Sequence, residues 1–433
     1  MRVQTLTKNA SWQRRFPAAG LAAITLAGAS IPLAAGSAPD AATENVSQAV
    51  MSGQAWEAFC ERLKVVGKVA LASDVPGTEL DRAEAYRFMV QQLERSIDAV
   101  LIRQDRAQPL LTLAMHRLYK FGVDSPEAKN FTAQLDSNGT YKLHGTLGTA
   151  PLLATQVSQI FPNYKGFDSL SNEQIGQPGE AFEVLISREK PDGYTGAWLY
   201  LPPEADFLSI REYFRDWENE QPSELMLSRV DYVPGPPPID SATMERLFDE
   251  IAATFESRVP MWLHLTKPRR ATLKNTLSFA RQNAAQGLKD NRYGAGWFDL
   301  AEDEALLITL DAPDALMWSF QLANFWSESL DFTNHTSSIN DFQAVASSDG
   351  KYRLIVSSFD PGVVNWLDSA GHRHGLIHYR YQQSKNAPQP QVRLLGRNEL
   401  GDVLPSDTRR VTRADRVREI EMRRAHTTLR WAP

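Results

Sequence analysis

The chain has 433 residues, 23% of them charged and 9% aromatic, with a formal net charge of −6 at neutral pH. This composition is ordinary for a globular protein with ample core, and the length suggests two or three domains. The acidic balance excludes partners that demand a basic surface, so neither nucleic acid nor an anionic membrane is expected.

Residues 1–38 read as a cleavable export signal. Arg2, Lys8, Arg14 and Arg15 make a basic start, no acidic residue precedes Asp40, and an apolar stretch rich in Ala, Gly and Leu runs from Phe16 to Ala35. Small residues permit cleavage after Gly36 or after Ala38, and the Arg14–Arg15 pair leaves both general secretion and the twin-arginine route open. Pro17 and Pro32 oppose a spanning helix. No stable membrane insertion is therefore expected after cleavage, and the protein is placed in the periplasm or outside the cell. Without the signal, 42 Lys+Arg face 52 Asp+Glu, a net −10.

Residues 39–54 are small and polar and predict a disordered mature N-terminus. Residues 55–122 read as a helical segment. Cys60, the only cysteine, excludes an intramolecular disulfide; with Trp56, Phe59 and Leu63 it shares one helical face, as a buried thiol would. The clearest helix runs from Glu79 to Leu101, with Thr78 and Asp81 in capping-box positions and Tyr86, Met89, Leu93, Ile97, Val100 and Leu101 as its stripe.

The period changes to two over 123–233, a first β-rich domain. Phe131–Asp136 and Tyr141–Gly145 flank Asn138–Gly139, which predicts a hairpin. Pro151–Ser158, Ala181–Ser187, Thr195–Leu201, Leu208–Phe214 and Leu225–Val230 continue the pattern, whose regular spacing suggests a sandwich and not a doubly wound sheet. Residues 234–290 are a Pro-rich linker and a helical pair. Asp240 caps a helix carrying Met244, Leu247, Phe248, Ile251, Phe255 and Val259, and a second helix spans about Arg269 to Leu288. Residues 291–400 are again β, with strands at Leu306–Leu310, Leu316–Phe325, Phe342–Ala346, Tyr352–Ser358, Leu376–Gln382 and Val392–Leu395. Residues 401–433 hold a charged C-terminal helix whose arginines, Arg423 among them, read as a solvated face. No internal sequence repeat is visible. The fold class is α+β, with two β-rich domains, a helical N-terminal segment and a helical pair between them.

Three stretches carry a resemblance: "WLYLPPEADFLSIREYFRDWENEQPSELMLSRV" (198–230), "WSFQLANFWSESLDFTNHTSSIN" (318–340) and "DPGVVNWLDSAGH" (360–372). They resemble the bacterial family called domain of unknown function 1214, and the N-W-L ending is similar to the related domain of unknown function 1254. The match extends over about 290–382 and 125–230. The resemblance implies a jelly-roll-like C-terminal sandwich. It implies no reaction.

The candidate site is the segment from Asp360 to Arg380. Asp360-Pro361-Gly362 is a turn by its chemistry, and Asn365, Trp366 and Asp368 follow on a loop. On the next strand His378, Arg380 and Gln382 share one face. That face suits either the wet side of a half-buried sheet or a pocket floored by His378 and Arg380 and rimmed by Asn365, Trp366, Asp368 and His372. Gln321 and Asn324 alternate poorly with their apolar neighbours and join the binding candidates. Asp368 and His372 form the catalytic candidate, a carboxylate–imidazole pair able to act as a general base. His372, His374 and His378 have spacing suited to one divalent transition metal; otherwise no cofactor is implied.

Three functions fit these residues. One is an enzyme working on a small, partly apolar molecule by acid/base or metal-assisted chemistry, hydrolysis included. The second is a non-catalytic envelope binding protein for a carbohydrate or hydrophobic metabolite. The third is a structural or assembly role. An enzyme needs Asp368 against His372 in a closed pocket; a binder needs an open groove with aromatic walls and no such pair.

Overall fold

The computed structural model describes residues 46–431 apart from 103–104, 106, 160–164, 232–233, 236–237 and 280–289. The expected signal and residues 39–45 lie outside the described residues. Residues 46–54 depart from the expected disorder, because Ser47 caps a short helix, α1 (Gln48–Ser52), by accepting the Val50 N–H at 3.2 Å. Gly53, at φ 85°, turns the chain into α2 (Gln54–Gly67). Cys60 is only partly buried there, and Trp56 is 57% exposed.

In α3 (Glu79–Ile97) the predicted capping box forms: Asp81 N–H donates to the Thr78 hydroxyl at 3.2 Å, and the Asp81 carboxylate accepts from Thr78 N–H. Its buried face differs from the predicted stripe. Ala85, Phe88 and Met89 are buried together with Asp81, Glu84, Gln92 and Arg95, while Tyr86 is exposed.

Nine described strands follow in chain order: β1 (Thr112–Met115), β2 (Ala128–Gln134), β3 (Tyr141–Thr146), β4 (Leu152–Gln159), β5 (Lys165–Ser171), then past one turn of helix, α4 (Asn172–Ile175), β6 (Ala181–Ser187), β7 (Ala197–Tyr200), β8 (Phe207–Tyr213) and β9 (Glu224–Arg229). They form two sheets, β1-β2-β8-β4-β5 and β7-β6-β3-β9. Leu153, Val157, Leu208 and Ile210 of one sheet meet Leu143, Val184, Ile186 and Leu199 of the other in a shared core, as alternating strands of a sandwich require. The predicted hairpin at Asn138–Gly139 is instead a corner, since β2 and β3 belong to opposite sheets. Neither residue adopts positive φ, which a two-residue hairpin of that sequence needs. Asp136 turns the chain by accepting Asn138 N–H at 3.0 Å and, through its carbonyl, Gly139 N–H at 2.8 Å.

Asp240 caps α5 (Ser241–Thr272) through Thr243 N–H at 2.6 Å. The expected helical pair is one helix of 32 residues that continues through Pro260 and Pro268. A proline removes a helical donor and crowds the preceding turn. Both prolines lie on the exposed side, so the face of Leu247, Ile251, Phe255, Val259 and Leu263 buries without interruption. Beyond it the chain is extended at β10 (Leu277–Phe279), and the rest of the predicted second helix falls on 280–288, outside the described residues.

The second β region comprises β10, β11 (Arg292–Asp299), β12 (Glu304–Asp311), β13 (Met317–Ala323), β14 (Ser338–Asn340), β15 (Lys351–Ser357), β16 (Trp366–Asp368), β17 (His374–Gln382) and β18 (Gln391–Gly396). The expected strand at Phe342–Ala346 is a turn, because the Asn340 side chain accepts the N–H groups of Phe342 and Gln343 at 3.0 and 3.1 Å. A short α6 (Leu400–Val403) and α7 (Arg413–Arg430) close the fold. Arg423 of α7 is buried, not solvated; it donates to the carbonyls of Phe332 and Ser338 and lies over Trp217 at 5.4 Å.

The sheets of this region run β10-β11-β17-β13-β14 and β16-β15-β12-β18. Each strand number exceeds its counterpart in the first sandwich by nine, and the sole parallel pairs among the described strands, β6 with β7 and β15 with β16, correspond too. The chain therefore repeats one architecture twice, although no repeat shows in its sequence. Details repeat as well. Trp198 Nε1 donates to Ser187 Oγ at 3.0 Å and Trp366 Nε1 to Ser357 Oγ at 3.0 Å, while each serine donates 2.7 Å to a carbonyl two residues on. No described helix is long and apolar enough to cross a membrane.

Candidate functional site

The predicted site residues separate into three places. The first is the junction of α3 with the second sandwich. His372, at the β16–β17 turn, is buried and meets Glu84 Oε2 through Nε2 at 3.1 Å, while its Nδ1 lies 3.0 Å from the Ser369 carbonyl. Asp368 does not reach it. That carboxylate holds the Nδ1 of His335 at 2.7 Å. His374 stacks on Trp297 and meets Asp81 Oδ1 at 3.1 Å. Burial pushes the His372 pKa down, but the bond and charge of Glu84 outweigh it and leave the imidazole more basic than usual. Burial likewise pushes Glu84 up, and His372 with Arg87 brings it below the usual carboxylate range. For His335, the bond to Asp368 comes first and raises its pKa. Asn324 belongs here too: its amide donates 2.8 Å to the buried Glu328, which also pairs with Arg87 at 3.0 Å.

The second place is the outer face of β17. Ile377, Tyr379 and Tyr381 fill the sandwich core, which sends His378 and Arg380 to the opposite side. Arg380 is buried and donates to the Gln321 side chain and to the Val123 carbonyl; Gln321 donates onward to the Asp124 carbonyl at 2.6 Å. Val123 stands at φ 56°, a conformation a β-branched residue resists. Arg380 on its carbonyl and the Ser327 carbonyl on its N–H, at 2.6 Å, hold it there. These two predicted binding residues thus clamp a strand-entry loop. His378 lies near the Tyr293 ring at 6.3 Å, and its Nδ1 has no hydrogen bond. Burial, then the charges of Arg380 and Arg269, depress its pKa well below the ordinary value, so its imidazole is neutral at pH 7. It is far from sharing a ligand set with His372 and His374. Among the described residues no three His, Cys, Asp or Glu side chains converge on a point that would hold a metal.

The third place is a groove of about 560 Å³ beneath α7, where Asn365 and Trp366 meet Phe342, Trp217 and the arginine-rich segment entering the helix. Each wall has a local cause. Trp366 is fixed at its indole N–H by Ser357, and Arg416 lies over its ring at 5.0 Å. Asp360 holds that guanidinium with both oxygens, at 3.0 and 3.1 Å, and its carboxyl stays below the usual range because Arg416 outweighs the effect of burial. Asn365 takes φ 59°, tolerable for asparagine, and its side chain clasps the backbone of Val345 at 2.8 and 2.7 Å. Phe342, freed from the sheet by the Asn340 turn, is 55% exposed. Asp216 accepts from the backbone of Glu218 and Asn219 and from the Asn219 amide, which leaves Trp217 buried beside the groove.

Sequence reasoning missed Asp81, Glu84, Phe342, Arg409 and Arg410. A usable signal existed for the first two, since residues 81, 84, 85, 88 and 92 fall on one helical face with Phe88. None existed for the others, which depend on how the chain returns after β18.

The chain matches no family model and no curated protein. Among solved structures it is similar to an uncharacterized protein from Burkholderia cenocepacia, at 28% identity and a TM-score of 0.76, over 81% of this chain and 99% of that one. A Vibrio parahaemolyticus protein aligns at 12% identity over 72% of this chain and 98% of its own, with a TM-score of 0.42. The fold described here is thus one that a second bacterial chain adopts along nearly its whole length.

Proposed function

We propose that the protein is an exported, non-catalytic binding protein that takes a small, partly apolar molecule into the groove beneath α7. The observation that carries this reading is the groove itself, with Phe342, Trp366 and many polar groups around about 560 Å³, a volume in the range of small-molecule sites. The carboxylate–imidazole pair on which catalysis was to depend is divided, Asp368 going to His335 and His372 to a buried Glu84. Export rests on the basic and apolar N-terminal composition. A jelly-roll-like reading of the second sandwich is supported by the order β11-β17-β13-β14 facing the pair β12-β15.

Titrating intrinsic tryptophan fluorescence against a library of small metabolites tests the function. A binder gives at least one saturable response that Phe342→Ala abolishes. A library without any Phe342-dependent response removes the reading.

A further inference from the structure

We infer that the ligand of this groove is an organic anion with a planar apolar body; the inference rests on the groove being the binding site. The walls carry both signs of charge, so what matters is which charges are already satisfied. Arg416 is committed to Asp360 and Glu419, and Arg418 to Asp415. Asp216 is spent on its own turn. Two neighbouring guanidiniums remain. Arg409 and Arg410 line the groove, are exposed, and make no side-chain hydrogen bond or ion pair among the described residues. Only one lining carboxylate, Glu218, is similarly uncommitted. The Gln343 amide nitrogen, buried at the same groove, also lacks an acceptor.

Arg409 and Arg410 thus leave a surplus of uncommitted donors, although four arginines and four carboxylates balance in formal charge across the lining. Their backbone is fixed: the Arg409 carbonyl accepts Val364 N–H at 3.1 Å, and Arg410 forms a bridge with Val363. Both side chains therefore spring from a fixed main chain, and the paired N–H donors of a guanidinium suit the two oxygens of a carboxylate or sulfonate. The exposed face of Phe342 and the edge of Trp366 supply the apolar walls for a ring. A neutral ligand would leave the donors unmatched, and a compact inorganic anion would leave the aromatic walls uncovered.

Two dyes that share one skeleton test this. The probes are 8-anilinonaphthalene-1-sulfonate and its uncharged parent N-phenyl-1-naphthylamine, titrated by fluorescence at low salt. The sulfonate is expected to bind at least about tenfold more tightly, the effect of a charge-assisted hydrogen bond. Arg409→Gln with Arg410→Gln should erase that preference and leave the parent dye unchanged. Phe342→Ala should weaken both. Equal binding of the two dyes, still dependent on Phe342, would overturn the anion and keep the groove. Binding of neither dye in a Phe342-dependent manner would remove the anion and the groove together.

Discussion

The two sandwiches share a strand order and differ in what lies over their smaller sheets. Aligned on Trp198 and Trp366, Lys142 occupies the place of Leu307: Lys142 pairs with Leu185, which pairs with Trp198, as Leu307 pairs with Ile355, which pairs with Trp366. On the first sandwich Lys142 makes a half-exposed ion pair with Glu183 at 3.0 Å. On the second, Leu307 is buried with Ile355, Leu395 and Leu400, under the chain that returns through α6. The same scaffold is wet in one copy and covered in the other. The candidate groove stands on the covered copy, because the returning chain supplies one of its walls. Shared geometry sets the fold, and the unshared covering makes the site.

Exchanging the two counterpart residues should break this comparison most sharply. Leu307→Lys places an unpaired charge under α6 and should cost on the order of 3–5 kcal/mol, read as a lowered urea midpoint. Lys142→Leu should change stability by less than about 0.5 kcal/mol. Comparable losses in both would show that the coverings are not what distinguishes the copies.

The second sandwich also binds α3 through His372 and Glu84, which makes its stability depend on pH. The His372 pKa is raised, so its contribution is full below the ordinary 6.5 and fades as pH climbs through the folded value. The Glu84 pKa is lowered, so its contribution is full above the ordinary 4.5 and fades as pH falls through the folded value. The junction should be strongest between these limits. Glu84→Gln should lose about 1.5–3 kcal/mol there, as for a hydrogen bond to a charged group, and should flatten the profile of denaturation midpoint against pH. An unchanged profile would discount the pair.

The smallest effect sharpens the equivalence itself. Ser187→Ala and Ser357→Ala each remove the hydroxyl acceptor of a tryptophan N–H and should each cost about 1 kcal/mol, somewhat less for Ser357, whose carbonyl also accepts from Trp366 at 3.3 Å. Measured losses that differ severalfold would argue that the two corners only look alike.

Local chemistry was legible in the sequence. Thr78 with Asp81, Asp240 with Thr243 and the apolar runs of β3, β6, β12 and β15 needed only neighbours a few residues away. The failures share a cause. The second helix expected from about Arg269 begins as the last turn of α5, because a helix whose inner face is continuous tolerates prolines on its outer face. Arg423 counted as solvated, yet its guanidinium lies over Trp217 while its nitrogens satisfy backbone carbonyls. Asp368 and His372 sit four residues apart and looked like partners, whereas each found one elsewhere in the fold. The duplication escaped notice because hydrogen-bond order, not residue identity, is what repeats.

The α3 junction also bears on how the chain reaches its fold. His372 and Glu84 are 288 residues apart, and His374 and Asp81 are 293. Asp81 additionally serves as the capping partner at the start of α3. During synthesis Asp81 and Glu84 therefore lack their histidine partners until the β16–β17 turn has emerged. Contacts this distant in sequence slow folding. The helical segment is made early, and its two histidine contacts can be completed only with the second sandwich.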